Sequence, residues 1–132
     1  MEMQVTFGQG MQVNAHFDGF EVKTDQPSAN GGEGTAPDPY SYFLTGLLTC
    51  AGFYVLRFCQ TRELATDGIE LNLSNDWNRA KGCPDKINID ISIPPTFPRK
   101  YHKALVRATQ ECSVKKTLMH PPEIIINAKT QQ

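Results

Sequence analysis

The side chains in this chain with the most chemistry available to them are four cysteines, Cys50, Cys59, Cys83 and Cys112. A thiolate is a nucleophile and a metal ligand, whereas a protonated thiol behaves as a small hydrophobe. No two of the four form a Cys-x-x-Cys pair, and His16, His102 and His120 are scattered, so no zinc-ligand spacing is present and no metal is expected. Core packing and redox chemistry remain. Around Cys50, Tyr54 and Arg57 follow at i+4 and i+7 on nearly the same helical face. Helical side chains lean toward the N-terminus, so the Arg57 guanidinium can lean back toward the sulfur, and a nearby cation favours thiolate. The plain alternatives are a core cysteine and a surface arginine. Cys112 stands just before a predicted short helix, Ser113 to Leu118, where free N–H groups acidify a thiol and Lys115 and Lys116 add positive charge. The alternative there is a solvated basic turn. Cys59 points elsewhere on its helix and Cys83 sits in a Gly-Cys-Pro turn; neither has a motif around it, and structural roles are expected.

The elements that must position these thiols follow from hydrophobic period. Val5 and Phe7, the run Met11 to Phe17, and Phe20 to Lys23 predict a three-strand meander, with Asp18-Gly19 as a hairpin turn. Residues 24 to 38 predict a loop; its Gly31, Gly32 and Gly34 lack the lysine and the spacing of a phosphate-binding loop. A long helix is predicted from about Pro39 to Leu64, with Asp38 as N-cap and Phe43, Leu44, Leu47, Leu48, Ala51, Val55 and Phe58 recurring at three and four. Gly46 and Gly52 within it predict close approach of another backbone. The period then changes to two, through Ile69, Leu71 and Leu73, and again through Ile87, Ile89, Ile91 and Ile93. A helix from about Pro98 to Thr109, the short helix after Cys112, and a last strand from Glu123 to Asn127 complete the order. This is a single α+β domain over residues 1–132.

Composition excludes several classes. The chain has 132 residues, 39% hydrophobic and 20% charged, with a net charge of -1, which suits one globular domain and no strongly charged partner. Arg99, Lys100, His102, Lys103 and Arg107 lie mostly opposite the apolar stripe of their helix and read as a solvated face, not a nucleic-acid surface. The N-terminus has neither a basic nor an apolar signal region, so the expected compartment is the cytoplasm. The uncharged stretch from Pro39 to Leu56 is read as a core helix rather than a membrane span. A helix apolar over so much of its circumference needs cover that a small monomer lacks, and a homodimer is expected.

Two stretches carry a family resemblance. Gly34 to Tyr40 with Phe43 to Gly52, and Glu111 to Leu118 followed by Pro121 to Ile124, resemble the cysteine-bearing central helix and the second-cysteine motif of the OsmC/Ohr family. That name covers osmotically inducible protein C and the organic hydroperoxide resistance proteins. The order of elements matches as well, so the resemblance covers nearly the whole chain. It implies an intertwined homodimer, with two sheets around long buried central helices. It also implies cysteine-based hydroperoxide reduction, with Cys50 attacking and Cys112 resolving, no bound cofactor, and an external dithiol reductant such as a lipoyl protein. An apolar pocket of residues such as Phe43, Leu47 and Phe53 would favour organic peroxides. An ordinary thiol with a pKa of about 8.5 is only about 3% thiolate at pH 7. Peroxidases of the family use an arginine from the N-terminal strands and a glutamate at the start of the cysteine helix to organise the thiolate. This chain has no arginine before Arg57, and Tyr40-Ser41 stand where the glutamate falls. Arg57, Tyr54 and Tyr40 are therefore the candidates to support the thiolate. The competing function is a non-enzymatic protein of the same fold that binds a small apolar ligand at its dimer interface.

Overall fold

The computed structural model describes residues 1–131. The chain divides into two compact units, Met1–Gly46 and Leu47 onward, and a long helix begins in the first and ends in the second.

The first unit opens with an antiparallel meander of β1 (Gln4–Phe7), β2 (Val13–Phe17) and β3 (Phe20–Thr24), in that order across the sheet. Asp18 and Gly19 turn β2 into β3 with φ of 48° and 81°, and Phe17 faces Phe20 across the turn. Two successive positive φ values make the tight primed turn that a right-twisted hairpin needs. Asp25, the residue after β3, is buried at 1% exposure and organises the following loop. Its carboxylate accepts from the Gln26 N–H (2.8 Å), the Glu33 N–H (3.3 Å), the Thr35 N–H (3.0 Å) and the Thr35 hydroxyl (2.7 Å). Those bonds, the Thr35 hydroxyl foremost, lower its pKa to about 2. Gly32 permits the fold of this loop, since a Cβ there would sit 1.9 Å from the Gln26 carbonyl oxygen. The Tyr42 hydroxyl ties the start of the long helix to the sheet by donating to the Lys23 carbonyl at 2.8 Å.

That helix, α1, spans Pro39–Thr61. Asp38 caps it as the sequence predicts: its carboxylate accepts from the Ser41 N–H (2.9 Å) and the Ser41 hydroxyl (3.0 Å). α1 ends three residues before the expected Leu64. Glu63 adopts a left-handed φ of 54°, and the Leu64 N–H returns to the Cys59 carbonyl at 2.9 Å. This is a Schellman-type stop made without glycine, so no residue signature marks it.

The second unit holds a two-stranded antiparallel sheet of β4 (Glu70–Asn78) and β5 (Cys83–Ser92), with a bulge at Asp76/Trp77 opposite Pro84. Leu71 faces Ile91 and Leu73 faces Ile89, the pairing expected from the two period-two runs. A short 3-10 turn leads into α2 (His102–Thr109), and α3 (Ser113–Met119) follows. The core is Val55, Phe58, Cys59, Phe97 and Leu105, with Leu71 and Ile91 of the sheet and the flanking Ile69 and Ile93 packed against it. Cys59 is fully buried here, and burial raises its pKa. It is a packing cysteine.

Three expectations need correction or sharpening. Glu123–Asn127 forms no strand: Ile124, Ile125 and Ile126 are 81%, 67% and 92% exposed, because no strand among the described residues pairs with them. A Cβ built at Gly46 or Gly52 meets nothing within 4 Å, so the close backbone approach expected there does not occur among the described residues. Finally, α1 is long and apolar enough to cross a membrane by length and composition alone. Yet it buries only one stripe, Leu47, Ala51, Val55, Phe58 and Cys59, while Phe53 and Leu56 are exposed.

Candidate active site

Cys50 lies on α1 in the second unit and is half-buried. The other thiol reaches it from the turn between α2 and α3. Tight turns in the chain there (Gln110 N–H to the Arg107 carbonyl, Cys112 N–H to the Thr109 carbonyl) end α2 and place Cys112 as the N-cap of α3. Cys112 is buried at 1% exposure, and both cysteines are free thiols. The Cys112 sulfur accepts the Lys115 N–H at 3.5 Å, as a capping side chain does. Its own thiol proton favours the charged form of Cys50 and helps to lower the Cys50 pKa. The Ser113 hydroxyl approaches Cys50 at 3.8 Å.

The two thiols are pushed in opposite directions. Burial opposes the charging of Cys50, but the Cys112 thiol, the Val114 N–H, and the Ser113 hydroxyl and N–H together outweigh it, and its pKa falls below the ordinary value. Burial raises the Cys112 pKa, and the Cys50 sulfur raises it further, both as hydrogen-bond acceptor and as a negative charge. The helix terminus expected to acidify Cys112 does act on it, through the Lys115 and Val114 N–H groups, but burial and the Cys50 sulfur outweigh them; the same terminus also lowers the Cys50 pKa. Cys112 spends its position capping the helix, and the N–H groups of the next two residues point at its neighbour.

The remaining candidates are distributed more widely. Arg57 lies over the Phe53 ring, 5.9 Å from its centroid, and is not among the groups that lower the Cys50 pKa. Tyr54 packs edge-on against Phe53 at 5.3 Å. Lys116, near the Cys112 turn, is ion-paired with Glu111. Tyr40 stacks on Phe43 at 5.2 Å in the first unit, and both donors of Ser41 are engaged by Asp38. Of the three pocket candidates, Leu47 lines a cavity of about 540 Å³, while Phe43 and Phe53 do not. Ile87, Ile89 and Ile91 supply its apolar wall, and Cys112, Lys115 and Gln110 also border it. Cys83 is exposed, opposite Asn78 at the far end of the β4–β5 pair.

Ser113 and Val114 were not singled out as site residues from sequence. Ser113 carried one signal, its place directly after Cys112 at a predicted helix start. Val114 acts through its backbone N–H, which leaves no mark on residue type.

Known proteins share this arrangement of elements. An osmotic-stress and detoxification-response structure from Psychrobacter arcticus 273-4 is similar with a TM-score of 0.74 and 21% identity, over 87% of this chain and 85% of that one. An OsmC-like protein from Mycoplasma pneumoniae gives 0.71 and 16%, over 91% and 87%. The organic hydroperoxide resistance protein OhrB of Bacillus subtilis gives 0.56 and 21%, over 91% and 90%. At such identities the likeness is one of fold. Comparison with curated proteins gives no match. The family model described as OsmC-like protein matches residues 32–127, a span that holds the Asp38 cap, all of α1 and both cysteines of the site, and the chain belongs to that family.

Proposed function

We propose that the protein is a thiol-dependent hydroperoxide reductase in which Cys50 attacks and Cys112 resolves. The observation that carries this reading is that the turn holding buried Cys112 meets half-buried Cys50, with Ser113, the next residue, 3.8 Å from the Cys50 sulfur, while the Cys50 pKa is lowered and that of Cys112 raised. The Cys50 thiolate attacks the terminal oxygen of ROOH. The O–O bond breaks, the RO⁻ leaving group takes a proton to become ROH, and Cys50 becomes a sulfenic acid. The Cys112 sulfur then attacks the sulfenic sulfur, its proton and the hydroxide leave as water, and a disulfide forms. An external dithiol returns two electrons by exchange and is itself oxidised to a disulfide.

The opposed pKa directions give these steps an order. While Cys50 is a thiolate, its charge and its hydrogen bond hold the proton on Cys112. Oxidation of Cys50 removes that charge, so Cys112 becomes easier to deprotonate when it is needed as a nucleophile.

A homodimer belongs to this reading. The apolar side chains of β1, with Val5 54% and Phe7 84% exposed, and the segment Ile124–Ile126 lack cover in the single chain, and a second copy supplies it.

The test is turnover of cumene hydroperoxide and hydrogen peroxide with lipoyl and monothiol reductants. Cys50→Ser is expected to fall to background. Cys112→Ser is expected to consume one equivalent of peroxide per Cys50 and then stall as a sulfenic acid that dimedone traps. Full turnover by Cys50→Ser would overturn the mechanism. The cavity favours a second reading, binding of a small apolar ligand, because its size suits such a molecule and Cys112, not Cys50, borders it. Calorimetric binding of an alkyl or aromatic ligand by a wild type inert toward peroxide would select it.

A further inference from the structure

The groups that hold the Cys50 sulfur are all neutral: the Cys112 thiol, the Ser113 hydroxyl and two backbone N–H groups. Three of these four come with any cysteine that caps a helix at this place. The Ser113 hydroxyl is the one that a change of residue type removes cleanly. We propose that Ser113 is a catalytic residue whose hydroxyl donates a hydrogen bond to the Cys50 thiolate and supplies the stabilisation that a cationic side chain provides in other reactive-thiol sites.

The geometry fixes the direction of that bond. A thiolate has no proton to give, so across the 3.8 Å between the two atoms the hydroxyl must be the donor. The Ser113 backbone is held for this task. Its carbonyl accepts the Thr117 hydroxyl at 2.8 Å, and the Lys116 N–H closes the first turn of α3 on the Cys112 carbonyl at 2.9 Å. The side chain is solvent-exposed, so the contact with the sulfur lies where solvent can reach it. When the thiolate is consumed, the same hydroxyl remains beside the oxidised sulfur as a donor to the sulfenic oxygen.

This assignment rests on the reading of Cys50 as the attacking thiol, and its test separates the two. Peptide-resolved alkylation of Cys50 by iodoacetamide, followed against pH, reads the thiolate without any peroxide. Ser113→Ala is expected to move the alkylation midpoint up by about one unit, roughly a tenfold loss of thiolate below the midpoint. Ser113→Thr, which keeps the hydroxyl, is expected to restore most of it, and circular dichroism of each variant reports the fold. Because neutral donors are not an ion pair, the wild-type midpoint is expected to stay put when salt is raised from about 0.05 to 0.5 M. An unchanged midpoint in Ser113→Ala, or a wild-type midpoint that climbs with salt, would overturn the assignment even with peroxide turnover intact. A shifted midpoint with no peroxide turnover in any variant would leave Ser113 in place and sink the peroxidase reading instead.

Discussion

At the scale of single residues, the site is a case of one helix terminus serving its neighbour. Cys112 caps α3 and keeps its proton, while Cys50 receives that proton's hydrogen bond and two N–H groups. The sequence singled out Cys50 and Cys112 because cysteine is chemically conspicuous. It offered Arg57 as the charge partner, because i+7 spacing is visible in one dimension, whereas a backbone N–H from a residue far along the chain is not. The same blindness hid Asp25. In the sequence it is one acid in a polar loop; in the fold it accepts four hydrogen bonds and is buried. Asp25→Asn is expected to lower the thermal midpoint at pH 7. The native pKa of about 2 lies below the unfolded value of about 3.8, so the carboxylate stabilises the fold above pH 4 and that contribution fades as pH falls toward 2. The gap between wild type and Asp25→Asn should therefore narrow across that acid window, measured by thermal denaturation at several pH values. A constant gap would show that the carboxylate charge does not matter.

At the scale of elements, the long helix and the two isoleucine- and leucine-patterned strands were legible because their periods are uninterrupted over many residues. Their ends were less so. α1 stops at Thr61 because Glu63 turns left-handed, a choice made by tertiary packing of Leu64 against the core rather than by a stop residue. Leu105 is the fully buried leucine that links α2 to α1 and the β4–β5 sheet. Leu105→Ala is expected to cost about 2–5 kcal/mol in urea denaturation, since it opens a cavity in a small core. Because α2 leads directly into the Cys112 turn, the same variant is expected to raise the Cys50 alkylation midpoint even where the protein remains folded. A stability loss under about 1 kcal/mol would mean that the second unit does not depend on this contact.

At the scale of the whole molecule, the single chain leaves much apolar surface uncovered: alternate residues of β1, Phe53 and Leu56 on α1, and Ile124–Ile126. The strand expected at Glu123–Asn127 has the right composition and no strand partner among the described residues. Both facts have one physical cause, since a strand exists only with a neighbour to take its hydrogen bonds. Sedimentation velocity at micromolar concentration is expected to give twice the 14.7 kDa chain mass, and Ile125→Lys to shift the protein toward monomer. A wild-type monomer under those conditions would remove the dimer from the proposed function.

The sequence by itself determined the α+β order, the capped helix that carries Cys50, and a second cysteine before a short helix, because these depend on local period and on residue type. Only the tertiary structure decided that the turn holding Cys112 meets Cys50, that burial and hydrogen bonds drive their acidities apart, and that Ser113 and backbone N–H groups stand beside the Cys50 sulfur where an arginine was expected. Acidity is set by what surrounds an atom in space, and a chain read residue by residue holds the atom but not its surroundings.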